Sequence, residues 1–448
     1  MGWNLFRGRI RLPLLAAAIV FFSFPFQVWG GSAAPSDAER ISELEKRLEE
    51  HAKIIEKLVE RIRELEKKPP QESLEPVAAA GASSPPVEAV ANAPAASGSD
   101  LSMFEDVTWL HGFADVGLTY SGRHQGDNAK RKGFSVGALD FYLTPQLGPR
   151  VKGLAELIFE VNNEGETMAE LERLQIGYSF NDYLTLWGGR YHTPLGYWNT
   201  AFHHGKQIQT TILRPKFLDF EEDDGVLPVH MTGLWGSGSV RLGDGKMNYD
   251  LYVANGPKIK DLATGGDGRL EPNSFTDDNH NLALGFNVSY DFSGALDGLR
   301  LGAHGLRTDV DGYDAADQRL SRSELNILGG YGIYTTNDWE IIGEFYQFLN
   351  RDRSGGSGYH SSAAGFLQAG RLIGSFTPYA RFEFASLDQK DNYFSRLKEG
   401  SSYRRGLAGV RFDLSPKTAL KVEGDHTRIL NREHDDYFEI SSQLAIHF

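Results

Sequence analysis

The sequence contains no cysteine, and it carries only one long apolar run, which lies within its first 34 residues. Without cysteine the chain has no disulfide, no cysteine metal site, no lipidated cysteine and no covalently attached haem. No second apolar run approaches the length of a spanning helix, so a helical membrane protein is excluded. The formal net charge of −14 at pH 7 argues against a nucleic-acid partner.

Motifs that mark enzymes are also missing from the sequence. No Gly-x-Ser-x-Gly, His-Glu-x-x-His or P-loop pattern occurs. The adjacent pair His203 and His204 has no further ligand at a known metal-site spacing. We therefore expect no catalytic residue, no metal site and no cofactor.

The last eleven residues, 438–448, predict a β-strand with one apolar and one polar face. Apolar side chains recur at every second position from Phe438 to Phe448, and polar or small side chains stand between them. This ending resembles bacterial outer-membrane β-barrel proteins, whose final strand ends in a Phe that the barrel-assembly machinery recognises. The resemblance implies that Phe448 is an assembly signal, that the apolar face contacts lipid and that the polar face lines a water-filled lumen.

Residues 1–34 read as a secretory signal peptide. Arg7, Arg9 and Arg11 precede the apolar run at 12–29, and small residues follow it. The alternative is an uncleaved transmembrane helix, because the run approaches spanning length. Pro13 and the small residues favour cleavage.

Residues 35–68 carry a heptad repeat that predicts a periplasmic coiled coil, and a parallel trimer is favoured over a dimer. The apolar a positions are Ile41, Leu48, Ile55 and Ile62. Residues 69–104 are rich in Ala and Pro and predict a disordered linker. Residues 105–448 are assigned to the barrel.

The barrel region alternates in segments of about ten residues. We place strands near 109–120, 134–144, 150–161, 171–180, 183–191, 227–239, 246–254, 281–291, 299–308, 324–335, 338–349, 361–373, 376–386, 403–414, 418–428 and 436–448. Connections between them alternate between short and long, with long ones at 121–133, 192–226, 255–280, 309–323 and 387–402. The sequence therefore predicts an all-β fold, a transmembrane antiparallel β-barrel of about sixteen strands with short periplasmic turns.

The longest connection, 192–226, is the candidate pore constriction. Its basic and histidine residues come first and its acidic residues follow, in the order His192, His203, His204, Lys206, Arg214, Lys216, Asp219, Glu221, Glu222, Asp223 and Asp224. Inside the lumen these charges would create a transverse field that filters solutes. The alternative is an external loop with no specific role.

A second set of charges falls on predicted inward faces of the strands. These lumen-lining candidates are Glu156, Glu160, Arg173, Arg381, Glu383, Arg405, Arg411, Asp413, Lys421, Glu423 and Asp425. They are expected to line the water column, to pair across strands, or both. No sign of charge dominates, so no strong anion or cation preference is predicted.

The octapeptide Gly-Arg-Tyr-His-Thr-Pro-Leu-Gly at 189–196 resembles the strand-to-loop entry of the phosphate-selective porin O and P family and of related coiled-coil-bearing trimeric porins. The resemblance implies a sixteen-stranded trimer that passes small solutes and whose third long loop folds inward. Tyr197 stands where many members carry an acidic residue, so phosphate specificity is not predicted.

Our first functional hypothesis is a trimeric outer-membrane porin for passive diffusion of small hydrophilic solutes or ions, in contact with outer-membrane lipid. A second is a structural barrel tethered through its coiled coil and plugged by the long loop. A third is a sheath around a partner electron-transfer protein, which would have to supply any haem.

Overall fold

The computed structural model describes residues 110–122, 133–145, 147–161, 165–202, 204–219, 225–259, 269–273, 281–314, 318–356, 358–397, 400–430 and 436–448. The predicted signal peptide, coiled coil and linker lie outside the described residues. Within these ranges, no helix combines the length and the apolar character needed to cross a membrane.

Sixteen strands of the described chain form a closed antiparallel barrel, which confirms the predicted fold. They are β1 (Leu110–Ser121), β2 (Gly133–Leu143), β3 (Val151–Val161), β4 (Thr167–Asn181), β5 (Leu184–His192), β6 (His230–Leu242), β7 (Gly245–Ala254), β10 (Ala283–Asp291), β11 (Leu299–Tyr313), β12 (Arg319–Thr335), β13 (Trp339–Ser354), β14 (Tyr359–Arg371), β15 (Phe376–Ser386), β16 (Tyr403–Ser415), β17 (Thr418–Ile429) and β18 (Asp436–His447). Between β7 and β10, β8 (Lys258–Ile259) and β9 (Leu270–Glu271) form a separate two-stranded ribbon. β1 pairs with β18 in continuous register, and this pairing closes the barrel.

The alternation of side chains across each strand sets the two faces of the barrel wall. On β18, Phe438 and Ile440 are each 47% exposed, whereas Glu439 and Gln443 are buried. On β4, Leu174 and Ile176 are likewise exposed on the outside. The predicted apolar faces are therefore the outer surface.

The strands β11 and β12 reach further than their alternation indicates, so most of the connection predicted at 309–323 belongs to these two strands. Polar residues occupy both faces of this extension, which hides the two-residue period. Ion pairs hold it instead: Arg322 pairs with Asp309, and Arg319 Nε lies 3.4 Å from Asp311 Oδ2.

The two ends of the barrel differ in their connections. One end carries tight turns, including 182–183, 243–244 and 416–417. The other end carries two long connections that enter the interior. We name 193–229, between β5 and β6, the internal loop, and 387–402, between β15 and β16, the outer loop. Together they position the candidate site.

Candidate functional site

The internal loop starts and ends at one place on the wall and crosses the barrel between. Its flanking residues, His192 and His230, are register partners on adjacent strands. It contains the short helix α1 (Trp198–Ala201) and a 3₁₀ turn at Lys216–Leu218. Many of its polar contacts are made with β13 and with β15–β17, on the far side of the barrel from β5 in the strand order. Others are made with β10, where Asn287 Nδ2 donates to Gly196 O at 3.0 Å, and with β4.

The start of the internal loop is bound to β13. Glu344 accepts hydrogen bonds from the main-chain N–H groups of Tyr197, at 3.2 Å, and Trp198, at 2.7 Å. Tyr346 Oη donates to Leu195 O at 3.2 Å. Gly196 has φ of +80°, and a Cβ there would lie 1.9 Å from Tyr346 Oη, so both backbone and space require glycine.

The middle of the internal loop is held by cations on β16 and β17. Lys421 is fully buried, and its Nζ donates to three main-chain oxygens, those of Lys206, Gln209 at 2.7 Å and Thr211 at 3.1 Å. Arg411 Nη1 donates to Gln209 O at 3.1 Å. These bonds go to the loop backbone rather than to its side chains.

A second group on β15 and β17 fixes the next stretch of loop. Glu423 accepts from the main-chain N–H groups of Ile212 at 2.9 Å and Leu213 at 3.1 Å. Arg381 Nη1 donates to Leu213 O at 3.0 Å. Glu383 accepts from Lys216 N at 2.6 Å. The cations named above donate to carbonyl oxygens of the loop, and the carboxylates accept from its N–H groups. Each of these buried charges is therefore hydrogen-bonded to the loop backbone.

Apolar packing completes the docking of the internal loop. Trp198 and Phe217 are buried and lie against Phe366 of β14, with ring centroids 5.5 Å and 6.3 Å apart. Phe217 also packs on Tyr346, at 5.3 Å. The inner face of β12–β14 therefore departs from the expected polar, water-lined face: apolar residues that form a core under the loop stand among buried polar residues such as Glu344 and Gln368.

The outer loop also packs against this core. It contains the helix α2 (Asn392–Ser395), whose Phe394 ring lies 5.0 Å from Phe348 of β13. Tyr393 Oη donates to Val226 O of the internal loop at 2.8 Å. The two loops are thus joined inside the barrel.

The remaining predicted residues fall in several places. Arg405 lies 3.6 Å from Glu383 and 3.7 Å from Asp425, and Arg411 bonds Asp413 at 2.7 Å, so these pair along the wall. Glu156 is buried and pairs with Arg173, whereas Glu160 is exposed. Arg214 Nη2 donates to Leu218 O, Lys216 is buried and Asp219 is half-buried. The candidates His203, Glu221, Glu222, Asp223 and Asp224 lie outside the described residues.

Sequence reasoning missed two glutamates that organise the site. Glu344 was passed over because its apolar neighbours Ile342 and Tyr346 share the inner face. Glu172 was passed over because the register shifts between Glu156 and Leu157, which makes Glu172 an extra residue in β4. A bulge of this kind breaks the two-residue period, so simple alternation assigns the residue to the wrong face.

No family model matches the chain, and no curated protein sequence is similar to it. Solved structures resemble it: the anion-selective porin from Comamonas acidovorans superposes with a TM-score of 0.50 and 14% identity, over 76% of this chain and 98% of that one. The outer membrane channel DcaP of Acinetobacter baumannii gives 0.47 and 12%, over 78% and 100%. Salmonella typhi OmpF, in complex with daunomycin, gives 0.47 and 11%, over 76% and 97%. At these identities the similarity shows the fold alone.

Proposed function

We propose that the chain is a channel of the bacterial outer membrane that lets small hydrophilic solutes or ions diffuse through a lumen narrowed by the internal loop. The observation that carries the proposal is the docking of this loop across a closed barrel whose outer face is apolar. A soluble protein gains nothing by exposing Leu174, Ile176 and their counterparts on every strand, whereas lipid solvates them.

The proposed water path runs along the inner face of β1. Asp115 and Thr119 of β1 alternate with the exposed outer residues Val116 and Leu118, so they face inward. Both keep partial exposure, whereas Thr427, inward on β17, is fully buried. Solutes would pass on the β1 side.

Because the sequence has no cysteine, single-cysteine variants test this path cleanly. We expect a charged thiosulfonate reagent to reduce the bilayer conductance of Thr119→Cys and to leave Thr427→Cys, the buried control, unchanged. Block of the buried variant alone would move the path to the other wall. No conductance in the unmodified wild type would refute the channel itself.

Ion preference is proposed to depend on the cations of the internal loop that keep contact with solvent. Among Lys206, Arg214 and Lys216, the side chain of Lys206 is half-buried and the other two are buried. We expect Lys206→Gln to shift the reversal potential in a salt gradient toward cation preference. Lys390→Gln, an exposed residue of the outer loop, is the matched control and should leave it unchanged.

The proposal extends to the assembly of the protein. Residues 1–34 would direct export, 35–68 would form a periplasmic coiled coil that joins three copies, and 69–104 would link it to the barrel. The resemblance to the phosphate-selective porin family and the heptads support a homotrimer inserted by the barrel-assembly machinery, with Phe448 as its recognition residue. No catalytic step is included.

A second candidate is a structural barrel with a plugged lumen. It is favoured by the extent of the buried apolar core between the internal loop and β12–β14. Deleting 41–68 separates the two candidates: weakened envelope integrity without altered permeability supports the structural role, and stepwise conductance of the purified wild type supports the channel.

A further inference from the structure

Three histidines and two glutamates meet where the internal loop leaves and rejoins the wall. His192 ends β5, His230 begins β6, and His204 lies in the loop. Glu156 of β3 and Glu172 of β4 face them. Each of the five side chains is at most 5% exposed.

Two of the imidazoles converge on one carboxylate. His230 Nε2 lies 2.7 Å from Glu172 Oε2, and His204 Nε2 lies 3.5 Å from Glu172 Oε1. One ligand atom from each of the three residues lies within 4.8 Å of the other two. Ligand atoms at about 2.0–2.1 Å from a tetrahedral ion stand roughly 3.3 Å apart. The two observed nitrogen–oxygen distances, 2.7 Å and 3.5 Å, lie on either side of that value.

The backbone places these three side chains independently of one another. Glu172 is the extra residue of the β3–β4 bulge, His230 is fixed by its register with His192, and His204 follows α1 in the internal loop. In β-sheets, a bulge next to a functional site commonly redirects one side chain toward that site. The convergence therefore involves two wall strands and one loop.

We propose that Glu172, His204 and His230 bind a divalent transition-metal ion of the Zn²⁺ class. Two imidazole nitrogens and one carboxylate oxygen suit such an ion, whereas Mg²⁺ and Ca²⁺ prefer oxygen ligands alone. The fourth position falls to a water molecule, as in sites with three protein ligands.

Neighbouring groups support the orientation of the ligands. Arg190 Nε donates to the main-chain oxygen of Glu172 at 2.9 Å, and its Nη2 stays 4.0 Å from the carboxylate. His192 Nε2 lies 3.2 Å from Glu156 Oε2, and its ring centroid lies 5.3 Å from that of His230. Arg173 pairs with Glu156, which balances the second carboxylate. His192, which is paired with Glu156, thus packs against the ring of His230 and supports its orientation.

The ion would tie the internal loop to the wall at its neck. His204 is the loop's own ligand, and the other two ligands belong to β4 and β6. Metal binding itself is independent of the proposed channel; its effect on conductance rests on that function.

The test uses untagged full-length chain in detergent, stripped of metal with a chelator and titrated with ZnCl₂ against a competing dye. We expect one ion per chain, and a loss of affinity in His204→Ala and Glu172→Gln greater than the roughly 10–100-fold that removal of a supporting partner costs. His426→Ala, an exposed histidine of β17, is the control and should bind as wild type does. Heat-modifiable gel mobility verifies that each variant is folded.

Wild type that binds no zinc, or that binds it no more tightly than Glu172→Gln, would overturn the assignment and leave a hydrogen-bonded histidine cluster. A conductance arm separates the two proposals. Zinc should reduce closures of wild-type channels and not those of His204→Ala. If zinc binds at the site and no channel opens, the metal site stands and the proposed function falls.

Discussion

At the scale of single residues, the wall charges of β15–β17 bind the main chain of the internal loop. A buried charge is costly unless it is hydrogen-bonded, and here carbonyl and N–H groups of the loop supply the partners. Lys421, Arg411 and Arg381 donate hydrogen bonds to carbonyl oxygens of the loop. Glu423 and Glu383 accept hydrogen bonds from its N–H groups. The docking therefore depends on the path of the loop more than on its side chains.

Replacing Lys421 by Met should loosen the internal loop, because Lys206 O and Thr211 O lose this donor, while Gln209 O keeps Arg411. Unsatisfied buried acceptors cost about 1–3 kcal/mol each, so for these two acceptors we expect a loss of about 2–6 kcal/mol in the free energy of unfolding. The measurement is urea unfolding in detergent or lipid. Lys417→Met, at an exposed turn, is the control. Equal stability of the two variants would show that Lys421 does not hold the loop.

Gly196 and Gly374 both have positive φ, of +80° and +64°, but they differ in surroundings. A Cβ at Gly196 would collide with Tyr346 Oη, whereas a Cβ at Gly374 would have no other atom within 4 Å. We expect Gly374→Ala to cost about 1–2 kcal/mol from backbone strain alone, and Gly196→Ala to cost clearly more. The difference in urea midpoint measures the close approach of loop and β13. A larger loss in Gly374→Ala would contradict this contact.

Sequence patterns indicated some site residues and hid others for identifiable reasons. The charges on β15–β17 were visible because they alternate with outward apolar residues. Their partners were not, because a hydrogen bond to main chain leaves no trace in residue type. Glu172 was hidden by a bulge, and the proximity of His204 to His230 depends on the three-dimensional path of the loop.

At the scale of elements, the outer loop is fastened to the ends of β13 and β14 by a histidine between two carboxylates. His360 Nδ1 lies 2.8 Å from Asp388 Oδ2, and its Nε2 lies 3.0 Å from Asp352 Oδ2. An imidazole donates from both nitrogens only when it is protonated. Asp391 caps α2 by accepting from Tyr393 N and is bonded by Asn350.

The hydrogen bond from His360 lowers the pKa of Asp388, which lies in the outer loop. For a carboxylate with a lowered pKa, the stabilisation is complete above the ordinary value of about 3.9 and disappears as pH falls through the lowered one. A spin label at Lys390→Cys should therefore keep its mobility between about pH 6 and 5, where both the protonated imidazole and the carboxylate are present, and become more mobile below about pH 4.

Asp388→Asn in the labelled chain should raise the mobility at neutral pH, because the ionic partner of His360 is removed. Asp338→Asn, in a turn at the opposite end of the barrel, is the control. A label that responds equally to both substitutions would show that the contact between His360 and Asp388 does not restrain the outer loop.

Element boundaries were predictable where one face of a strand is apolar and unpredictable where both faces are polar. β3, β15 and β16 end within about a residue of their predicted limits, because outward-facing apolar residues continue close to their ends. The far part of the hairpin of β11 and β12 carries polar residues on both faces and is held by charge pairs. Alternating hydrophobicity carries no signal there.

At the scale of the whole molecule, the closed hydrogen-bonded wall should survive detergent that unfolds open structures. We expect the unboiled protein to migrate differently from the boiled protein on a gel, and the native mass in mild detergent to be that of three chains. Identical mobility of the boiled and unboiled protein would contradict a closed barrel that withstands detergent. A single-chain mass would remove the trimer and leave the barrel.

The contacts of the internal loop also dictate an order of biogenesis. Its carbonyls at Gln209 and Thr211 bond Lys421, more than two hundred positions later in the chain. Because Lys421 is synthesised long after these carbonyls, the middle of the loop cannot dock until β17 is in place. Ordering of the middle of the internal loop is therefore a late step, and a chain truncated before β17 lacks the cation that binds these carbonyls.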